Sequence, residues 1–251
     1  MNSRTLTPAT TCHPGGDSAA PAAAPQPETI CVLGIGNVLW ADEGFGVRCI
    51  QALQTRYEFA EHVQLIDGGT QGLYLIQHVQ AATRLLIFDA VDYGLQPGEL
   101  KTVANDAVPR FMGAKKMSLH QTGFQEVLML ALLTEKYPTD VLLIGCQPEE
   151  IDDYGGSLRP RVKLALEDAL ALGLATLREW GAQPVPRTSP LTEREVVTFL
   201  QLDLQAYEGQ RPDEALACRT GDERFFPSSA DISALGIGTS TSPSAAATAS
   251  A

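Results

Sequence analysis

The chain has 251 residues, 44% hydrophobic and 19% charged, with a net charge of −12 at pH 7; that length allows one large domain or two small ones. So acidic a chain lacks the basic face that nucleic acid or an anionic membrane surface would require. Its longest uninterrupted apolar run, residues 127–133, falls far short of the roughly 18 residues of a membrane span. Residues 1–27 hold one basic residue, Arg4, and no apolar signal-peptide core. Five cysteines, widely spaced and without a C-x-x-C pair, read as reduced thiols of a cytoplasmic protein.

The first 27 residues, 15 of them Ala, Pro or Thr, cannot bury a core and are expected to be disordered. From Glu28 the pattern changes to short apolar runs alternating with longer segments of helical period, as in an α/β domain. Strands are expected at 30–36, 63–66, 84–88 and 140–145, with a weaker one at 99–103. Their continuous apolar character calls for helices on both faces of the sheet. Helices are expected at 46–57, 71–79, 120–136 and 160–180, the last opened by Pro160 and stopped by Gly181 and Pro184. The segment 105–117, with Pro109, Phe111 and Gly113, reads as a loop leading to His120.

Beyond Arg187 the sequence is acidic: residues 188–251 hold nine acids and four bases, −5 of the total charge. One amphipathic helix fits 191–207, where Thr192 and Glu195 have capping-box spacing. Residues 231–251, 14 of them Ser, Ala or Thr, are a second disordered tail. The expected architecture is a three-layer α/β sandwich in a single domain, 28–187. Its mostly parallel, twisted sheet lies between helices; an acidic appendage at 188–230 and the two disordered ends flank it.

The first strand leads into Gly34-Ile35-Gly36, but a dinucleotide fingerprint would place a third glycine where Leu39 stands, so a Rossmann cofactor site is not expected. A plain glycine-rich turn leaves the adjacent acids Asp42 and Glu43 unexplained. Two later strands run into Asp67 and Asp89. In an open parallel sheet ligands bind outside the carboxyl ends of the strands, so Glu43, Asp67 and Asp89 belong to one edge. An aspartate there is often only an Asx turn or a helix cap. Three acids on one edge would repel one another, and a metal ion relieves that. His120, at the start of a helix, adds a nitrogen donor; the set suits zinc, nickel or another divalent transition metal. No G-x-S-x-G elbow and no H-E-x-x-H pair occurs, and Cys31 and Cys146 lie within apolar strands as core residues.

Taken in order, Gly34-Ile35-Gly36-Asn37, Asp42-Glu43-Gly44-Phe45-Gly46-Val47-Arg48, Asp67-Gly68-Gly69-Thr70, Asp89-Ala90 and His120-Gln121 resemble the NiFe-hydrogenase maturation proteases. The stretch 118–126 is most similar to the branch serving membrane-bound uptake hydrogenases. The resemblance spans about residues 30–180. It implies a hydrolase, an endopeptidase of the aspartyl type. Such an enzyme acts once on the precursor of the hydrogenase large subunit, removing a short C-terminal peptide after nickel has been inserted. The family's metal-contacting groups fall on Glu43, Asp89 and His120, which engage the precursor's nickel. Whether the free enzyme holds another divalent transition metal is left open, as is the choice between metal-activated water and a carboxylate base. A reading from a different class is an assembly chaperone that senses nickel without cutting.

Overall fold

The computed structural model describes residues 28–112, 119–189, 191 and 204–210, and for 111, 112 and 119–122 the backbone alone. Both expected disordered ends and most of the acidic appendage lie outside the described residues.

The strands are β1 (Ile30–Ile35), β2 (Tyr57–Glu58), β3 (Val63–Gly69), β4 (Arg84–Ala90), β5 (Leu100–Ala104), β6 (Asp140–Cys146) and β7 (Val185–Pro186). The helices are α1 (Phe45–Arg56), α2 (Ile76–Ala81), α3 (Ala107–Met112), α4 (Leu119–Leu133), α5 (Pro160–Glu179) and α6 (Leu204–Gly209). Five strands form the central sheet in the order β3-β1-β4-β6-β5. The first four run parallel, and β5 joins β6 antiparallel. One of the two edge strands, β5, is therefore the weak one expected near 99–103, and within this sheet it alone reverses direction. β2 and β7 make a separate antiparallel pair.

Alternation along each strand sorts the core into two halves. Ile30, Val32, Leu86, Phe88, Ile144 and Cys146 face α1 and α5, packing on Ile50, Leu53, Val162 and Leu170. Cys31, Leu33, Leu85, Ile87, Val141 and Leu143 face α2 and α4, packing on Val79, Phe124, Val127 and Leu128. Both faces are covered, which is why the strands read as continuous apolar runs. The sheet between two helix layers is the expected three-layer α/β sandwich.

The connections explain where a ligand could enter. α1, which follows β1, lies on one face; α2, which follows β3, lies on the other. The chain then crosses β1 to lay down β4 beside it, so the strand order reverses between β1 and β4. In open α/β sheets the crevice forms at this switch point, outside the carboxyl ends of the two strands.

One expectation is corrected. The segment read as a loop from 105 onward contains α3. Pro109, the residue that signalled a loop, is the third residue of that helix, where its missing N–H would have had no intrahelical partner. Val108 is fully buried against the α4 half of the core, and Gln125 Nε2 donates to the Pro109 carbonyl at 3.4 Å. The helix expected at 71–79 begins instead as a 3-10 turn, Gly72–Leu75, before α2. Of the helix expected at 191–207, Leu191 lies outside any helix, Thr192 and Glu195 lie outside the described residues, and only the end appears, as α6.

Candidate active site

The turn that follows β1 is folded back on itself. Gly36 has φ +131°, a conformation open to glycine. Asn37 N–H donates to the Glu43 carbonyl at 3.1 Å, and Glu43 N–H donates to the Trp40 carbonyl at 2.9 Å. Residues Ala41–Gly44 form a 3-10 turn, with Glu43 half-buried and Asp42 fully buried. Gly46 lets α1 settle directly on the sheet: a Cβ there would lie 2.1 Å from the Phe88 carbonyl oxygen. The segment that bears Glu43 is thereby held against β4 immediately before Asp89.

Asp42 and Glu43, neighbours in sequence, have different work. The Asp42 carboxylate accepts three backbone N–H bonds, from Glu149 at 2.8 Å, Glu150 at 2.9 Å and Arg159 at 2.7 Å. It ties the loop after β6 to the turn after β1. Burial pushes its carboxyl above the ordinary value, against the pull of those N–H groups and of the Arg159 charge. The same loop is pinned by Gly155 N–H to the Leu39 carbonyl at 2.7 Å and by Tyr154, whose ring packs edge-on against Trp40. Gln147 performs a similar task for the loop after β4: its Oε1 accepts from Tyr93 N–H at 2.7 Å and Leu95 N–H at 3.1 Å. Neither role leaves a periodic signature in sequence; only the unexplained acid beside Glu43 hinted at one.

The other expected site residues lie at the same edge of the sheet, but not on the same face. Asp89 is fully buried and follows Leu85 and Ile87 in the alternation of β4, so it belongs to the α4 face. Asp67 pairs with Gly34 and follows Val63 and Leu65, which face α1. Its Oδ1 accepts from Gly69 N–H at 3.0 Å, the Asx turn that a strand-ending aspartate often makes. His120 is the second residue of α4. That helix packs on Asp89's face through Phe124 and Val127, and its Gly123 lies against Gly72 in the segment after β3. The His120 side chain is outside the described residues. Among the described side chains no three His, Cys, Asp or Glu residues gather as a metal site. Cys31 and Cys146 are buried, with thiols pushed up to about 12 by burial, and burial likewise pushes the Cys49 thiol well above its ordinary value, so none of the three is a nucleophile at neutral pH.

A recess of about 500 Å³ lined by Glu58, Phe59, His62, Gly181 and Val185 opens at the amino ends of the strands, away from these carboxylates. The switch-point crevice is the better candidate.

Comparison with known proteins decides the family. Residues 47–176 match the family described as hydrogenase maturation protease. The chain belongs to that family. Asp89 and His120 fall inside the matched stretch, and Glu43 lies four residues before it. The chain is 66% identical, over 198 residues, to the hydrogenase expression/formation protein HoxM of Cupriavidus necator; that covers 79% of this chain and 98% of HoxM. It is 38% identical over 159 residues to the hydrogenase 2 maturation protease of Escherichia coli, covering 63% of this chain and 96% of that protein. The structure of the hydrogenase-maturating endopeptidase HybD from Escherichia coli superposes with a TM-score of 0.61 at 36% identity, over 64% of this chain and 98% of HybD. Further relatives are named hydrogenase expression/formation protein HupM, of Azotobacter chroococcum, and HupD, of Thiocapsa roseopersicina. No helix among the described residues is long and apolar enough to cross a membrane.

Proposed function

We propose that this chain removes the C-terminal peptide of the NiFe-hydrogenase large-subunit precursor in the cytoplasm, once nickel is in place. Glu43, Asp89 and His120 engage the precursor's nickel, which is part of the substrate and reports completed assembly. The observation that carries this reading is the placement of two carboxylates at the switch point. The turn bearing Glu43 follows β1, Asp89 ends the neighbouring β4, and α4 opens with His120 on Asp89's face. Two carboxylates and an imidazole are a donor set suited to a divalent transition metal.

Within that arrangement the residues divide the work. The back-folded turn holds Glu43 at the crevice edge, while Asp89 is buried at its floor, where a carboxylate exerts a strong field. Either carboxylate can take a proton from an attacking water, as an aspartyl-type general base, while contact with the nickel centre sets the scissile peptide in reach.

The test is mass spectrometry of the large-subunit precursor after incubation with the full chain. Loss of a C-terminal peptide from nickel-loaded precursor, and none from nickel-free precursor, is the expected result. Tight binding at unchanged mass would replace the protease by a nickel-sensing chaperone. Cleavage of both forms would remove the nickel gate.

A further inference from the structure

At the level of Asp89, one row of residues crosses the sheet and brings in a group with no part in the scheme above. Asp89 of β4 pairs with Gly145 of β6, and Gly145 pairs with Lys101 of β5. Paired residues on neighbouring strands project to the same face, with strands about 4.8 Å apart. Here that face is the α4 face, shared with Ile87, Leu143 and Val103.

The middle position of the row has no side chain of its own, and Tyr93 fills it from the loop after β4. A Cβ at Gly145 would lie 2.0 Å from the Tyr93 phenol oxygen and 2.7 Å from both Cε2 and Cζ. The phenol therefore sits directly over β6, between the strand that carries Asp89 and the strand that carries Lys101. On the far side, Lys101 Nζ stands 5.1 Å from the centre of the Tyr93 ring, within cation–π range. Tyr93 is 8% exposed and Asp89 0%. Burial first, then the Asp89 charge, pushes the phenol above its ordinary pKa. The loop itself is fixed at this point by the Gln147 side chain, which accepts the Tyr93 backbone N–H.

We propose that Tyr93 is a positioning residue of the endopeptidase: seated over Gly145 and steadied by Lys101, it walls in the Asp89 side chain and sets the direction in which that carboxylate meets the precursor. This inference rests on Asp89 working in the site. A tyrosine serving only as core filler would be replaceable by phenylalanine without kinetic consequence, because the ring carries the packing. A phenol that orients a reacting carboxylate would not be.

The experiment compares Tyr93→Phe, Lys101→Met and Asp89→Asn in the full chain. It measures kcat and KM separately on nickel-loaded precursor, precursor affinity under non-cleaving conditions, and thermal melting. Tyr93→Phe is expected to lower kcat roughly tenfold with KM and affinity within about twofold, the pattern of an interaction used in the transition state. Lys101→Met should lower kcat in the same direction by less. Rates are normalised to folded protein from the melting curves, so a loss of fold is not counted as a loss of rate. An unchanged normalised kcat in Tyr93→Phe, with Asp89→Asn inactive, overturns this inference alone. Full activity in Asp89→Asn overturns the reading beneath it.

Discussion

The carbonyl of Glu43 lies directly above Gly36, so close that a Cβ at Gly36 would meet the oxygen at 1.8 Å. The turn that presents Glu43 exists only because position 36 has no side chain and adopts φ +131°. Gly36→Ala would impose both a forbidden backbone conformation and a clash with backbone that has nowhere flexible to retreat. The turn must open, taking Glu43 with it, while the sheet remains covered on both faces. Precursor cleavage is expected to fall by roughly a hundredfold or more, with destabilisation of about 2–3 kcal/mol, read by peptide release and thermal melting. Wild-type cleavage in a folded Gly36→Ala protein would show that the turn does not position Glu43 for the reaction.

Asp42 should behave as a structural residue despite its neighbour. Its carboxylate satisfies three backbone N–H groups in the loop after β6, and Asp42→Ala leaves all three without it. Each unsatisfied buried donor costs about 1–3 kcal/mol, so a loss of about 3 kcal/mol or more is expected. At this domain size that lowers the melting temperature by roughly 10 °C. Asp42→Asn, which keeps one acceptor oxygen, should fall between. A melting temperature within about 2 °C of wild type in Asp42→Ala would show that water replaces the carboxylate at no cost.

The sequence disclosed the fold through its apolar runs, because a sheet covered on both faces leaves no polar alternation to confuse the reading. It disclosed the edge at which the carboxylates lie for the same reason: each follows an apolar run, and parallel strands end on one side. It could not disclose which acids share a face. Asp67 and Asp89 look alike in sequence, each closing a strand. What separates them is the alternation within each strand and the register of β3 against β1, and both depend on pairing between distant segments. The roles of Asp42, Gln147 and Tyr93 were hidden for a related reason. Each acts on backbone or space more than 50 residues away, and no local pattern encodes that. The proline within α3 misled because a first-turn proline and a loop proline are the same letter.

The acidic segment beyond the domain is docked at one described point. Glu208 of α6 accepts from Lys163 Nζ at 2.7 Å and from Ser157 Oγ at 2.7 Å, and the Tyr207 ring lies 5.3 Å from the Arg48 guanidinium carbon. Burial raises the Glu208 carboxyl, but the Lys163 and Ser157 hydrogen bonds outweigh it and hold the group below its ordinary 4.5. A lowered folded-state value means the contact is fully present above the ordinary value and is lost as pH falls through the lowered one. Because both side chains are partly exposed, the ion pair is worth at most about 1 kcal/mol. Glu208→Gln should therefore speed amide exchange in 204–210 by up to about fivefold at pH 7, with the difference from wild type shrinking as pH falls through the lowered Glu208 value. Identical exchange in the two proteins at pH 7 would mean that the aromatic contact alone holds α6.

The sharpest contrast is between Asp67 and Asp89, which end neighbouring parts of one sheet edge. Asp67 projects to the α1 face, half-buried, with an oxygen already accepting the Gly69 N–H. An asparagine can make the same turn, since its side-chain carbonyl accepts that bond. Asp89 is fully buried on the opposite face, on the side where α4 begins at His120, and its value there is its charge. Asp89→Asn keeps shape and volume but removes the negative charge that would attract a cation or accept a proton. Cleavage of nickel-loaded precursor is expected to stay within about threefold of wild type in Asp67→Asn. In Asp89→Asn it should fall by roughly a thousandfold, a difference of about 4 kcal/mol in transition-state stabilisation. Circular dichroism of both variants, expected to be unchanged, separates chemistry from folding. His120→Ala should match Asp89→Asn in activity if the two act on one centre, since effects of residues working as a unit do not add; the double variant should then be no worse than either single one. Multiplicative losses in the double variant would assign the two side chains to separate steps, and equal activity in Asp67→Asn and Asp89→Asn would show that the face of the sheet does not decide which carboxylate works.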